Sequence, residues 1–354
     1  MKRLFFIIFI TITSGLHSFA PSPFPDIIEK TIPAVVFIVE EVNSFDQAYG
    51  DRPATYQSYL RPVYEYFWPS QYAHGSGFLM SSKGHVLTCA HCVKEATKTL
   101  VIVQMDGMPR VYPAKTVGID VGSDLAVLCL ETTDELPYLP FGDSDRVRLG
   151  EPVIAIGTPM SARLESSVSM GIISGKDRNF GWDPVEGYIQ TDTPIHSGNS
   201  GGPLLNSLGE VIGVVNFKWR GHEGLGFVTP SNFAASIANQ LITTGTVSRA
   251  FLGVEVEYEV DSVFDVYYFY RNQGALVTAV VSGSPADRAG LTVGDRILFV
   301  DEMPIPTANT LINRLWTVAP GRKIQLSINR RGNLFPITLE LSDRYSWRRH
   351  SEAV

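Results

Sequence analysis

The sequence predicts a mainly β protein with two folded units. Its 354 residues suffice for two domains of about 100 to 200 residues each. Short apolar runs recur between Gly77 and Thr229, separated by Gly, Pro, Asp or Asn, as in barrels of short antiparallel strands. The pattern restarts after Gly245. With 44% hydrophobic and 18% charged residues, the chain has the composition of a folded protein.

Residues 1–20 have the pattern of an export signal. A basic start precedes the apolar run 4–13, and small residues lead to a cleavage site expected after Ala20. The run is shorter than the roughly 20 apolar residues that span a bilayer, so an inner-membrane anchor is the second choice. Pro21 hinders cleavage at that point and leaves the position of the cut open. We expect a periplasmic or cell-envelope protein whose membrane contact is confined to residues 4–16.

The elements of the first unit follow from local patterns. The β-branched stretch 27–42 predicts an early strand, and the proline-rich and aromatic stretch 43–74 predicts a long loop. The strands predicted next are GFLMSS, HVLTCA, TLVIVQM, DLAVLCL, PVIAIG, GIISG, GYIQTD, EVIGVVNF and GLGFVT. Apolar residues at helical spacing predict a helix over Ser231–Leu241 that closes the unit.

The second unit is smaller and also rich in strands. Its predicted elements are strands at Phe251–Val256, Ala275–Val281, Arg296–Val300, Ile324–Asn329 and Pro336–Leu341 and a helix at Thr307–Thr317.

Charge and cysteine content exclude several classes of protein. The 29 basic and 36 acidic residues give a net charge of −7, so nucleic acid is not an expected partner. Cys89, Cys92 and Cys129 are too few for a disulfide-built scaffold. We interpret them as small buried residues, with a Cys89–Cys92 or Cys92–Cys129 bond as the alternative. The sequence Cys89-Ala90-His91-Cys92 contains zinc-ligand residues, but no second ligand pair lies at zinc-site spacing. No metal or cofactor is therefore expected.

The strongest chemical signal is Gly198–Pro203, with the sequence GNSGGP. A serine between glycines suits a tight turn in which a nucleophile and anion-binding amides lie together. The motif also fits the G-x-S-x-G of a nucleophile elbow. An elbow, however, needs a following helix and later acid and histidine partners, whereas the strand-like EVIGVVNF follows here.

A serine nucleophile needs a general base and an acid that orients the base. His91 follows a predicted strand, and Asp124 opens the apolar run Leu125–Leu130, so a rigid sheet holds both. With Ser200 they give the order His, Asp, Ser, which is that of chymotrypsin-type proteases.

The chain resembles a known family, the HtrA (Deg) serine proteases. The segments that carry the resemblance are Pro33–Val36, Gly75–Phe78, Thr88–Val93, Ser123–Leu128, Gly198–Leu204, Gly224–Phe227, Phe251–Val254 and Gly274–Ile305. The resemblance implies a chymotrypsin-like double β-barrel followed by a PDZ domain, which is a β-sandwich with helices. We expect a signal peptide at 1–20, a protease domain at 24–245, a PDZ domain at 250–342 and a solvated tail at 343–354.

The resemblance also implies roles that the chemistry requires. Ser200 attacks the peptide carbonyl, His91 transfers the proton, and Asp124 orients the imidazole. The backbone amides of Gly198 and Ser200 form the oxyanion hole.

Two positions beside the nucleophile bear on activation and specificity. Asn199 stands where chymotrypsin-type zymogens have an Asp that pairs with a new N-terminus, so another contact has to order this loop. Pro194 stands where trypsin-type enzymes have an acid, so a cationic side chain would find no partner there, and the resemblance implies cleavage after small aliphatic residues. His196-Ser197 departs from the Asn-Pro usual in the family and leaves the shape of the pocket open.

In the second unit, the resemblance implies a site for peptide C-termini. A peptide adds as a strand to the sheet, and backbone amides of a loop bind its carboxylate. The loop is placed at Phe251, Leu252, Gly253 and Val254. Leu311 and Leu315 on the predicted helix either line the groove or belong to the core.

The first hypothesis is an exported, ATP-independent serine endopeptidase that degrades misfolded envelope proteins as a homotrimer or a multiple of one. Its partners are unfolded proteins and peptide C-termini. The alternatives are a chaperone or binding protein with a latent triad, and a membrane-tethered regulatory protease that cuts one signalling partner.

Overall fold

The computed structural model describes residues 24–42, 71–94, 96–158, 166–180, 187–219, 221–257, 274–316 and 318–343. The predicted export signal, nearly all of the predicted loop 43–74 and the tail beyond residue 343 lie outside these residues. Of the helices that are described, none combines the length and the apolar character needed to cross a membrane.

The described chain begins with a helix, α1 (Phe24–Thr31), and a 3-10 turn over Ile32–Ala34. The prediction of a strand from residue 27 was therefore wrong for its first part. Phe24, Ile28 and Ile32 pack against the first core at a spacing of four residues, which is helical. The β-branched residues that follow obscured this change of period.

Six antiparallel strands then form a closed barrel in the order β1-β2-β3-β6-β5-β4. They are β1 (Val35–Val42), β2 (Gln71–Leu79), β3 (His85–Cys89), β4 (Lys98–Met105), β5 (Met108–Asp120) and β6 (Leu125–Leu130). Short 3-10 turns follow β3 and β5, at Ala90–Cys92 and Val121–Ser123. These two turns end side by side because β3 pairs with β6, with Cys89 opposite Leu125.

A second closed barrel has the order β10-β11-β12-β9-β8-β7. Its strands are β7 (Pro152–Gly157), β8 (Ser167–Arg178), β9 (Tyr188–Thr191), β10 (Pro203–Leu205), β11 (Val211–Lys218) and β12 (Gly226–Pro230). A further 3-10 turn, Ser144–Arg146, lies between β6 and β7 along the chain. The predicted double barrel is confirmed.

Helix α2 (Ser231–Thr244) closes the first unit, as predicted, but runs one turn beyond Leu241. Its buried face contains Ala234, Ile237, Ala238 and Leu241, and these residues join the core of the first barrel. The helix ends at Gly245, whose φ of 73° is in the left-handed region that favours glycine.

The second unit has its own core under a sheet in the order β14-β15-β16-β18-β19. Its elements are β13 (Ala250–Phe251), β14 (Val254–Val256), β15 (Ala275–Val280), α3 (Pro285–Arg288), β16 (Arg296–Val300), β17 (Met303–Pro304), α4 (Ala308–Trp316), β18 (Lys323–Arg330), β19 (Asn333–Glu340) and β20 (Ser342–Asp343). Strand β13 pairs with β20 and thereby joins the ends of the unit. The short helix α3 and the break between β13 and β14 were not predicted.

Candidate active site

The first barrel supplies His91 and Asp124. His91 lies in the 3-10 turn after β3, and its Nδ1 donates a hydrogen bond to Asp124 Oδ2 at 2.6 Å. The backbone amide of His91 also donates to Asp124 Oδ1, at 2.9 Å. The amide of Ala90 donates to the Asp124 carbonyl, again at 2.9 Å. The imidazole and the carboxylate are therefore held together by backbone as well as side-chain bonds.

Asp124 adopts an unusual backbone conformation that the preceding turn holds in place. Its φ is 53°, in the left-handed region that non-glycine residues seldom occupy. Asp120 caps the turn by accepting a hydrogen bond from the amide of Ser123 at 3.1 Å. The capped turn thus aims the Asp124 carboxylate at His91.

The second barrel supplies Ser200, in the tight turn before β10. The amide of Gly201 donates to the Val215 carbonyl, and the amide of Gly202 donates to the Asn199 carbonyl, at 2.8 and 2.9 Å. Gly201 has a φ of 83°, and a Cβ atom there would lie 2.2 Å from the Ser76 carbonyl oxygen. Only glycine fits this position, because both the conformation and the space exclude a side chain.

The two barrels meet at this turn. The Ser200 carbonyl accepts a hydrogen bond from the amide of Ser76, at 3.0 Å, and lies 3.7 Å from Cys92 Sγ. Ser200 is therefore next to the turn that carries His91. Its Oγ donates to the Asn216 carbonyl at 2.9 Å. Among the described residues it forms no hydrogen bond with His91, so this is a resting orientation of the hydroxyl.

The environment of His91 favours its cation. Partial burial favours the neutral imidazole, but hydrogen bonds to Asp124 and Cys92 and the charges of these two groups outweigh it, and the pKa of His91 rises to about 10. These contacts therefore favour the imidazolium form of the resting His91.

Two backbone amides at the turn are left for a ligand. Within the described part of the chain, the amides of Gly198 and Ser200 donate to no protein acceptor, whereas those of Asn199, Gly201 and Gly202 do. The amide of Asn199 donates to the His196 carbonyl at 3.0 Å, and Gly198 has a φ of 97°. Together these indicate a type II turn over 196–199. In a type I turn the peptide that carries the Gly198 amide would be rotated by roughly half a turn.

Sequence reasoning gave Ser76 no role, yet its hydroxyl supports this turn. Ser76 is completely buried. Its Oγ donates to the Gly198 carbonyl at 2.7 Å and accepts from the amide of Thr158 at 2.9 Å. Ser76 and Gly198 are 122 positions apart, so no local pattern indicated the contact.

A buried ion pair also escaped the sequence analysis. Arg249 lies just before β13, and its Nη2 donates to both carboxylate oxygens of Asp120, the residue that caps the Asp124 turn. The same guanidinium stacks on the ring of Trp316 in α4, 3.9 Å from its centroid. The second unit is thereby joined to the turn that carries Asp124.

The wall beside the nucleophile is apolar. Ile195 is buried, and a Cβ atom at Gly226 would lie 2.8 Å from its Cγ1. The neighbouring Pro194 carbonyl accepts a hydrogen bond from Ser169 Oγ at 2.9 Å. This segment therefore offers no carboxylate to a cationic substrate side chain.

In the second unit, the loop predicted to bind a carboxylate lies between β13 and β14. Gly253 has a φ of 89°, and among the described residues the amides of Leu252 and Gly253 donate to no acceptor. Their carbonyls instead face inward and accept from Ala286 and Val281, both at 2.9 Å. Leu311 and Leu315, left open between groove and core, are buried in the core of this unit.

Comparisons with known proteins agree with this geometry. Residues 75–214 match the family described as a trypsin-like peptidase domain, and residues 250–341 match the PDZ domain. The chain is 40% identical over 272 residues to a "Probable periplasmic serine endoprotease DegP-like" of Chlamydia trachomatis, covering 76% of this chain and 54% of that protein. A protein of the same description from Hahella chejuensis is 35% identical over 336 residues, covering 90% and 69%. The chain thus spans about half the length of the chlamydial relative.

Solved structures show the same similarity over both units. The HtrA-type protease AlgW with a tripeptide matches with a TM-score of 0.69 and 30% identity, covering 91% of this chain and 97% of that one. The serine endoprotease from Yersinia pestis matches with a TM-score of 0.61 and 29% identity, covering 92% and 99%.

Proposed function

Because this chain belongs to the HtrA family of DegP-like serine endoproteases, we propose that it is an exported serine endopeptidase that cuts unfolded or misfolded envelope proteins without ATP. One observation carries the proposal: a hydrogen-bonded His–Asp pair from one barrel lies beside a serine turn from the other, and two amides of that turn donate to no acceptor in the described residues. The protease unit is 24–245 and the PDZ unit 250–342 in this proposal, and the export signal is 1–20.

The proposed chemistry is acyl transfer in two steps. Ser200 Oγ forms a bond to the peptide carbonyl carbon while its proton passes to His91 Nε2, and Asp124 holds the imidazolium. The amides of Gly198 and Ser200 donate to the oxygen that becomes negative. The C–N bond then breaks, and the amine leaves with the proton from His91. Water hydrolyses the acyl-enzyme by the same route.

Productive binding requires two changes from the resting geometry. Ser200 Oγ has to rotate from the Asn216 carbonyl towards His91, which is a step between staggered rotamers. His91 also has to lose its proton before it can act as a base. We propose that contacts made by loops, by neighbouring subunits and by the PDZ unit favour the active arrangement, since Asn199 provides no charge to pair with a new N-terminus.

Substrate selection has two parts in this proposal. At the cleavage site, Pro194 and the buried Ile195 favour a small aliphatic side chain over a cation. In the PDZ unit, the amides of Leu252 and Gly253 bind a terminal carboxylate, and the peptide extends along β14 from Val254. Strand β14 suits this role because it is the edge of the described sheet.

We further propose that the protease units assemble into a trimer or a multiple of one. Val168, Met170 and Ile172 alternate on one face of β8 with exposed fractions of 40%, 57% and 40%, and Leu149 is exposed as well. Such an apolar stripe is typical of a surface that a second copy covers. Met170→Glu is expected to lower the mass measured by light scattering, whereas Leu208→Glu, at an exposed isolated leucine, is not.

The function is tested by incubating unfolded casein with the protein and with Ser200→Ala. Cleavage by the first and none by the second is expected, together with labelling of Ser200 alone by a fluorophosphonate. Equal cleavage by both proteins would refute the proposed nucleophile. Suppression of casein aggregation without cleavage by either would favour a binding protein.

The export signal is tested separately. N-terminal sequencing of the exported protein is expected to locate the cut near Ala20, and an intact Met1 would instead support an anchor.

A further inference from the structure

The pair formed by His91 and Asp124 has a third metal-ligating side chain beside it, the thiol of Cys89. One donor atom from each of the three residues lies within 4.8 Å of the other two. A thiolate, an imidazole nitrogen and a carboxylate oxygen are the three ligand types that Zn²⁺ accepts in proteins. We propose that these residues bind a thiophilic divalent cation of the zinc class and that the bound cation blocks proteolysis.

The fold holds the three residues on rigid elements. Cys89 ends β3, and His91 lies two residues further on, in the turn that starts there. Asp124 joins them through its hydrogen bonds to the amides of Ala90 and His91. No metal was predicted from the sequence, because no second pair of ligands lies at the spacing usual for zinc sites. The fold supplies instead a single carboxylate 33 positions away.

The three proposed ligands differ in their exposure to solvent. Cys89 is completely buried, whereas the side chains of His91 and Asp124 are 43% and 24% exposed. Two of the three proposed ligands are therefore partly open to solvent, and a cation would replace the proton shared by His91 Nδ1 and Asp124 Oδ2.

The ligand set determines the class of cation. Three protein ligands and one water complete the four-coordinate shell of Zn²⁺. Mg²⁺ prefers six oxygen ligands and does not suit a thiol and an imidazole. The Cys92 thiol lies 3.7 Å from the Ser200 carbonyl and is not one of the three residues whose donor atoms lie together.

Binding of the cation releases two protons from the protein. The S–H bond of Cys89 and the Nδ1–H bond of His91 break, both protons pass to solvent, and three coordinate bonds form. The remaining imidazole proton is on Nε2, so His91 has no lone pair with which to accept the proton of Ser200. This inhibitory effect rests on the proposed function, whereas binding itself does not.

The test measures metal binding in full-length Ser200→Ala, so that peptidase activity plays no part. Calorimetry is expected to give one Zn²⁺ per chain and no Mg²⁺, and Co²⁺ is expected to show a thiolate charge-transfer absorption. Loss of one outer partner of a metal ligand typically weakens binding about 10- to 100-fold. Loss of a direct ligand in Cys89→Ala should therefore weaken it by at least about 100-fold. Cys129→Ala is the matched control and should bind as tightly as its parent.

Equal zinc affinity with and without Cys89 would overturn the site, as would the absence of the cobalt absorption in Ser200→Ala. If Cys89→Ala does not fold, the cobalt spectrum of Ser200→Ala by itself tests the site. In the protein with Ser200 intact, zinc is expected to abolish casein cleavage, and chelation to restore it. Full activity of the zinc-bound protein would overturn the inhibitory role. Failure of the unmodified protein to cleave casein under any condition would refute the proposed function and leave the binding result standing.

Discussion

Ser76→Ala tests whether a buried hydroxyl in one barrel orders the oxyanion turn of the other. The change removes a single oxygen atom and keeps the small side chain. That oxygen donates to the Gly198 carbonyl at 2.7 Å and accepts from the Thr158 amide at 2.9 Å. Since Ser76 is completely buried, water is not available to replace either bond.

The magnitude follows from these two bonds. Each buried polar group left without a partner costs about 1–3 kcal/mol, so the free energy of unfolding should fall by about 2–6 kcal/mol. If the 196–199 turn then loses its type II form, the Gly198 amide no longer faces the proposed oxyanion. Loss of one such donor lowers kcat about 10²- to 10³-fold. KM should change little, because this bond forms mainly in the transition state.

The assay combines peptide hydrolysis, which separates kcat from KM, with urea unfolding. Ser81→Ala is the matched control. Its hydroxyl also makes a side-chain hydrogen bond, to His85 Nδ1 at 2.9 Å, but at the far end of the β2–β3 hairpin. A kcat for Ser76→Ala within about threefold of the control, in a folded protein, would show that the turn needs no support from this hydroxyl.

Three further predictions concern the same turns. Because the base must be neutral and the pKa of His91 is raised to about 10, kcat/KM should rise with pH through the neutral range. In Asp124→Asn this rise of kcat/KM should occur at lower pH, and the maximal kcat/KM should fall. A pH–rate profile measures both changes. Asp120→Ala leaves Arg249 buried without its partner and should cost about 3–5 kcal/mol in a denaturant titration. Gly201→Ala should abolish fluorophosphonate labelling, since its Cβ would lie 2.2 Å from a carbonyl oxygen.

Residue type and order along the chain were enough to predict the fold class and the residues proposed for the triad. A weak nucleophile needs a base and an acid, and few arrangements of strand ends supply them. The supporting contacts could not be predicted in the same way. Ser76 bonds to a residue 122 positions away, and Arg249 pairs with one 129 positions away. Such pairings depend on how two closed barrels and a third unit meet, which no local period encodes.

The error at the start of the described chain has a different origin. Residues 24–31 have apolar side chains at helical spacing, and the strand that follows begins with β-branched residues without any intervening glycine. Pro33 marks the change, in the 3-10 turn between helix and strand. A proline is compatible with the first positions of such a turn as well as with a strand edge, so the boundary was ambiguous until the packing of Phe24 against the core resolved it.

The proposed oxyanion hole and the proposed nucleophile differ in how close each is to an active arrangement. Among the residues that the structure describes, the amides of Gly198 and Ser200 already have no acceptor, and a type II turn sets the direction of the first. The hydroxyl of Ser200, by contrast, is bonded to the Asn216 carbonyl, and His91 carries a proton that prevents it from acting as a base. Rotation of one hydroxyl is a small step, whereas His91 has to be neutral before it can accept a proton, and its raised pKa opposes that form. The cation proposed to bind Cys89, His91 and Asp124 would also prevent His91 from accepting the Ser200 proton, because a proton would remain on Nε2.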